Sequence, residues 1–136
     1  MRYYSVVGSL VFGSLLFGFV LFKDHQQSRI YLHSYYLETE VVLSIEDELI
    51  FSGEVPANPL SHGYSVKLKK KLKKEGGLWI NVDFPEYDYS KKVFLPEEKT
   101  DYIFISFGSA FSETSKDVEV NGVSRHYIQT HAIPGL

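Results

Sequence analysis

The sequence predicts a mainly β protein, in which a single N-terminal transmembrane helix is followed by a small antiparallel β-sandwich. Three observations carry that expectation. Residues 3–22 are a run of 20 without a formal charge, bounded by Arg2 and Lys23. Beyond that run, apolar and polar residues alternate and turn-forming residues recur every 8 to 14 positions, the pattern of short strands with one buried face. Aromatic side chains, which pack well on a pleated surface, make up 15% of the 136 residues.

Composition narrows the function classes. A hydrophobic fraction of 44% supplies enough buriable surface to exclude a disordered chain, and the length suits one globular core rather than two. With no Cys, disulfide frameworks, thiol nucleophiles and Cys-based zinc sites are excluded together. A net charge of -3 and a single Trp argue against a nucleic-acid partner, which calls for a wider basic footprint with several stacking aromatics.

The first element is the anchor, assigned to residues 1–23. Twenty helical residues span roughly 30 Å, the thickness of the hydrocarbon core of a bilayer. A cleaved signal peptide is the competing reading. It calls for a shorter apolar region and a small-x-small cleavage site, and Phe19, Val20, Leu21, Phe22, Lys23 and Asp24 offer none. A span retained as a signal-anchor, with the basic N-terminus inside, places the rest of the chain outside the cytoplasm. A bacterial inner membrane with the domain facing the periplasm is the expected setting. Small residues fall on two helix faces, Ser5, Ser9 and Gly13 on one and Ser14 and Gly18 on the roughly opposite one. Such positions let neighbouring helices approach closely, which makes other membrane-complex subunits, besides membrane lipid, the expected partners.

Residues 24–38 read as a juxtamembrane segment or edge strand, with a helical continuation of the anchor as the alternative over 29–37. The sandwich core is assigned to 39–108, immunoglobulin-like or transthyretin-like in architecture. One hairpin runs from Val41, Leu43 and Ile45 through Glu46, Asp47 and Glu48 to Leu49, Phe51 and Gly53. The prolines at 56 and 59 forbid a central strand after it. A second hairpin is read from 64–72 and 78–84, joined at Glu75, Gly76 and Gly77. Tyr64, Val66, Leu68 and Leu72 share its inner face with Leu78, Ile80, Val82 and Phe84, and its register sets Lys71 across from Trp79, with Lys73 as the one-step alternative. Val93 to Leu95 forms a short strand. Residues 102–107 are apolar on both faces, which marks a central strand. In the C-terminal extension, 109–136, Asn121 and Gly122 read as a tight turn, so that the segment either adds a terminal hairpin to the sheet or wraps around a partner.

Charge is segregated along the chain. Six lysines fall within residues 67–74, whereas residues 38–54 hold six acids and no base. The outward Lys67, Lys69, Lys71 and Lys73, with Trp79, form the candidate interaction surface, suited to an anionic lipid, a glycan or an acidic partner. The same lysines equally suit an edge strand guarded against aggregation. His25, His33, His62, His126 and His131 lack ligand spacing, and Asp83, Glu86 and Asp88 lack the regular spacing and glycine of a calcium loop, so no metal or other cofactor is expected. No nucleophile elbow or phosphate cradle occurs, and the chain is not expected to be an enzyme. The expected function is that of a single-pass membrane-anchored β-domain acting through protein contacts, as an accessory or assembly subunit of a larger membrane complex. The alternative is an anchored binding module for an anionic ligand.

Overall fold

The structure, a computed structural model, describes residues 27–59, 64–112 and 116–131. The anchor assigned to 1–23, with its packing residues Ser5, Ser9, Gly13, Ser14 and Gly18, lies outside them. Among the described residues no helix is long and apolar enough to cross a membrane.

Among the described residues, eight strands build two four-stranded sheets. They are β1 (Ser28–Ser34), β2 (Thr39–Ile45), β3 (Glu48–Val55), β4 (Val66–Lys70), β5 (Leu78–Phe84), β6 (Tyr89–Leu95), β7 (Tyr102–Phe107) and β8 (Val118–Val123), and one short helix, α1 (Arg125–Thr130), follows. Sheet A has the order β4-β1-β7-β8 and sheet B the order β3-β2-β5-β6. The chain alternates between them, giving β1 to A, the β2-β3 hairpin to B, β4 to A, the β5-β6 hairpin to B, and β7-β8 to A.

The period-2 pattern explains which faces meet. Ile30, Leu32, Ile103, Ile105 and Phe107 of sheet A pack against Val41, Leu43, Ile45, Ile80, Val82 and Phe84 of sheet B in one continuous core. Phe84 and Phe107 meet edge-on across it, with ring centroids 4.9 Å apart. The open sides are laced by polar contacts between the sheets. On one side Lys70 of β4 pairs with Glu48 of β3 at 3.1 Å, and on the other the Lys91 ammonium of β6 donates to the Val118 carbonyl of β8 at 2.6 Å.

The β2-β3 hairpin forms as read, with a two-residue turn. Ile45 pairs with Glu48, and Glu46 and Asp47 both take positive φ (51° and 62°) without a glycine. Such a turn matches the strand twist, and Glu46 holds it in place. Its Oε1 accepts the Trp79 N–H at 2.7 Å, and its own N–H donates to the Trp79 carbonyl at 3.0 Å.

Four expectations are corrected. The 64–72 and 78–84 segments do not form a hairpin, because β4 pairs with β1 in sheet A while β5 pairs with β2 and β6 in sheet B. Gly76 and Gly77, at φ 79° and 93°, instead turn a crossing from one sheet to the other. Residues 28–34 are neither helix nor edge, since β1 lies between β4 and β7 with Ile30 and Leu32 fully buried. The sandwich is not wholly antiparallel, because β1 and β7 run parallel, joined through the two sheet B hairpins and β4 between them. Asn121 and Gly122 make no turn and sit within β8 paired to Phe104 and Ile103. Gly122 is needed for closeness, because a Cβ there would lie 1.9 Å from the Lys99 carbonyl oxygen.

Candidate interaction surface

Alternation over β4 itself holds as read from the sequence, but Tyr64, read as inward, instead joins Tyr31 and Phe104 on the outer side of sheet A. Val66 and Leu68, then Leu72 beyond the strand, pack against the core, while Lys67, Lys69, Lys71 and Lys73 are all exposed. The partner strand is what differs. Lys67 lies across from Tyr31 and Lys69 from Arg29, so β4 is the outer edge of sheet A and its lysines border that sheet's outer face.

The pairing registers write out that face row by row. One row runs Lys69, Arg29, Tyr102, Val123, and the next runs Lys67, Tyr31, Phe104, Asn121. His33, Ser106 and Glu119 follow below. The face is thus basic at β4, aromatic at the centre and polar at β8. Tyr31 stacks on Phe104 (centroids 5.4 Å, planes at 14°), and Tyr64 closes against both, at 4.9 Å from Tyr31 and 5.9 Å from Phe104. His33 extends the cluster, 4.3 Å from Tyr35 and edge-on to Tyr64 at 5.9 Å. Its Nε2 donates to the Asn58 carbonyl at 2.9 Å, which fixes the ring, since a carbonyl can only accept. Partial burial and the neighbouring Tyr31 and Tyr35 phenols raise the Tyr64 pKa, keeping that hydroxyl protonated. The Arg29 guanidinium stands 5.9 Å from the Tyr102 ring centroid. The alternation of Tyr31, His33 and Tyr35 is visible in the sequence. Reading 29–37 as an edge strand concealed that it shares a face with Phe104.

Trp79 is outward, as expected, and 47% exposed. Neither Lys71 nor Lys73 lies opposite it, because its cross-strand partner is Phe94, with ring centroids 5.2 Å apart. The cation over its ring is Lys92, at 5.4 Å. The outer face of sheet B changes character along the strands. Trp79, Phe94 and Leu49 stand at one end, and beyond them the face turns polar, with Asn81 donating to Asp83 at 3.1 Å and Ser90 to Asn81 at 2.9 Å.

Between the sheets at that end, Asp101 ties three segments together. The Lys74 ammonium donates to Oδ1 at 2.9 Å, the Arg125 N–H to Oδ2 at 2.7 Å, and the Arg29 N–H to the Asp101 carbonyl at 2.9 Å. Around it opens a cleft of about 1120 Å³ lined by Lys71, Lys73, Lys74, Glu97, Glu98 and Arg125. Burial pushes the Asp101 pKa up, but the hydrogen bonds from Lys74 and Arg125 and the charges of both outweigh it and leave the carboxyl below its usual value. A carboxylate depressed in the folded state contributes stability above its unfolded pKa, near 4, and loses it as pH falls through the folded value. Stability measured by chemical denaturation from about pH 5 down to about pH 2 is therefore expected to fall more steeply for the unmodified protein than for Asp101→Asn. Parallel curves would show that the Asp101 carboxyl binds its proton equally well in both states.

Among the described residues no three His, Asp or Glu side chains gather where a metal ion could be held. His33 serves the aromatic cluster, while His131 stacks on Tyr127 with centroids 4.1 Å apart. Comparison of the chain with protein families, curated proteins and solved structures finds no match.

Proposed function

We propose that the chain is a single-pass membrane protein that displays its sandwich outside the cytoplasm, in a bacterium from the inner membrane into the periplasm. It works there through protein contacts, as an accessory or assembly subunit of a larger membrane complex. The immunoglobulin-like or transthyretin-like style belongs to the same proposal and draws support from the two four-stranded sheets. One observation carries the contact reading: on the outer side of sheet A, exposed Arg29 and half-buried Phe104 and Tyr64 gather around Tyr31 and Tyr102, which are themselves buried, and Arg and aromatic residues are the types enriched at protein interfaces. The uncharged run at 3–22 carries the membrane reading.

The test is purification from membranes in a mild detergent with quantitative mass spectrometry. Partners are expected in a fixed ratio. They should be lost with Phe104→Ser, whose folding is checked by its melting temperature, and weakened by Gly13→Leu and Gly18→Leu but not by Val11→Leu. Equal recovery across these variants would remove the protein-contact reading. A second reading, capture of an anionic lipid, a glycan or an acidic partner, is favoured by the exposure of Lys67, Lys69, Lys71 and Lys73 along one edge.

A further inference from the structure

The topology gathers a particular set of side chains at the end of the sandwich where the N-terminal segment enters. β1 begins at Ser28, with five residues between it and the end of the uncharged run at Phe22. An extended tether of five residues reaches at most about 18 Å, so a bilayer holding that run would lie close to the Ser28 end. The registers define what else is there. Ser28 pairs with Lys70, Arg29 pairs with Tyr102, and the Ser28 hydroxyl donates to the Thr100 carbonyl at 2.6 Å. The 71–77 crossing and the 97–99 turn meet at this end, where the Gly76 N–H donates to Glu97 at 3.3 Å. From there β5 starts at Leu78 and β6 finishes at Leu95, and the β2-β3 turn docks on Trp79.

Two classes of side chain therefore converge on one end. Trp79, Phe94 and Leu49 are 47%, 43% and 60% exposed, and beyond them that face carries Asn81, Asp83 and Ser90. At the same end Lys92 is exposed next to Trp79, Lys71 and Lys73 along the crossing between the sheets, and Arg29 and Lys69 on the outer face of sheet A. Acids share this end and keep their charge: Glu46 accepts the Trp79 N–H and Glu97 the Gly76 N–H, Glu48 offsets Lys70, and Asp47, Glu75 and Glu98 are exposed, so the positive charge is local to the lysine strip. Exposed Trp with Lys is the combination that settles at a bilayer interface, where the ring enters the headgroup layer and the lysine stems lie along it with their ammonium groups at the phosphates. Anionic headgroups match the lysine strip in charge.

We propose that the end of the sandwich that carries Trp79, Phe94 and Leu49 on sheet B and Lys69, Lys71 and Lys73 on β4 and the crossing rests on the headgroup layer of an anionic bilayer. This inference rests on the membrane-anchored reading and selects lipid from the second one. It fixes how the domain stands, with the aromatic face of sheet A turned sideways along the membrane, toward neighbouring subunits.

Trp79 is the single tryptophan of the chain, so its fluorescence reports on this end alone. The full chain is reconstituted into vesicles of phosphatidylcholine, with or without about one quarter phosphatidylglycerol, containing a lipid whose headgroup carries a nitroxide. In the anionic vesicles the nitroxide is expected to quench at least half of the Trp79 emission. Without phosphatidylglycerol, or with Lys69→Gln/Lys71→Gln/Lys73→Gln, quenching should drop about twofold or more, and high salt should imitate the drop. A chain that fails to float with the vesicles overturns the anchored reading. A chain that floats while Trp79 is unquenched, or equally quenched in both lipids, overturns the docking alone. A Trp79 shielded from aqueous acrylamide but not quenched by the lipid label also overturns it, in favour of a protein neighbour at this end.

Discussion

Phe84→Ala is expected to destabilise the domain by about 3–5 kcal/mol, a large part of the total for a domain of this size. Phe84 is fully buried and sits where the sheets meet. Its ring lies 4.9 Å from Phe107 of sheet A, 5.3 Å from Phe111 in the β7-β8 connection and 6.2 Å from Tyr89 on the next strand. Truncation removes contacts from both layers and from the connection at once, and surrounding strands held by their ladders cannot close the cavity. Denaturant midpoints of the two proteins, followed by near-ultraviolet circular dichroism, provide the measurement. A cost below about 1 kcal/mol would mean that the sheets do not meet through this ring. Since the aromatic face of sheet A and the Trp79 end both depend on the sandwich staying closed, this variant should lose both proposed contacts together.

Gly122→Ala is expected to cost about 2–3 kcal/mol despite adding a single methyl group. The new Cβ would lie 1.9 Å from the Lys99 carbonyl oxygen and 3.0 Å from its carbon, backbone atoms that cannot rotate away. Either β8 or the 97–99 turn must move, and α1 follows directly after β8. Gly53→Ala supplies the control, because a Cβ there meets only the Phe51 ring at an ordinary 3.5 Å. Thermal melts of both variants test the idea. Equal melting temperatures would show that β8 does not lie against the Lys99 backbone.

The corrected readings have one physical origin in common. Alternation states which side of a strand is buried and leaves open which strand lies beside it. Lys67 and Lys69 were legible as outward and Val66 and Leu68 as inward, yet the same pattern fits β1 and β5 equally well as a neighbour. The Glu75-Gly76-Gly77 sequence supplied positive-φ residues, and these serve a crossing between sheets as readily as a hairpin. Asn121 and Gly122 illustrate the reverse case, where a strong turn dipeptide lies extended because a neighbouring carbonyl requires the missing Cβ. Trp79 was legible as exposed, whereas its cation, Lys92, depended on the pairing of β5 with β6.

By itself the sequence determined the strand-rich class, the inner and outer faces of β2, β4 and β5, the central place of 102–107, a hairpin turn within 46–48, and the lysine strip. These follow from neighbours a few residues apart, whose spacing sets burial and turn geometry. Only the tertiary structure decided that β1 is central and parallel to β7, that Tyr31, Phe104 and Tyr64 form one cluster, and that Trp79, Phe94 and Leu49 stand at the end where the N-terminal segment enters. Those arrangements join residues up to about 70 positions apart, and local periodicity carries no information about partners at that distance because many registers bury the same apolar face equally well.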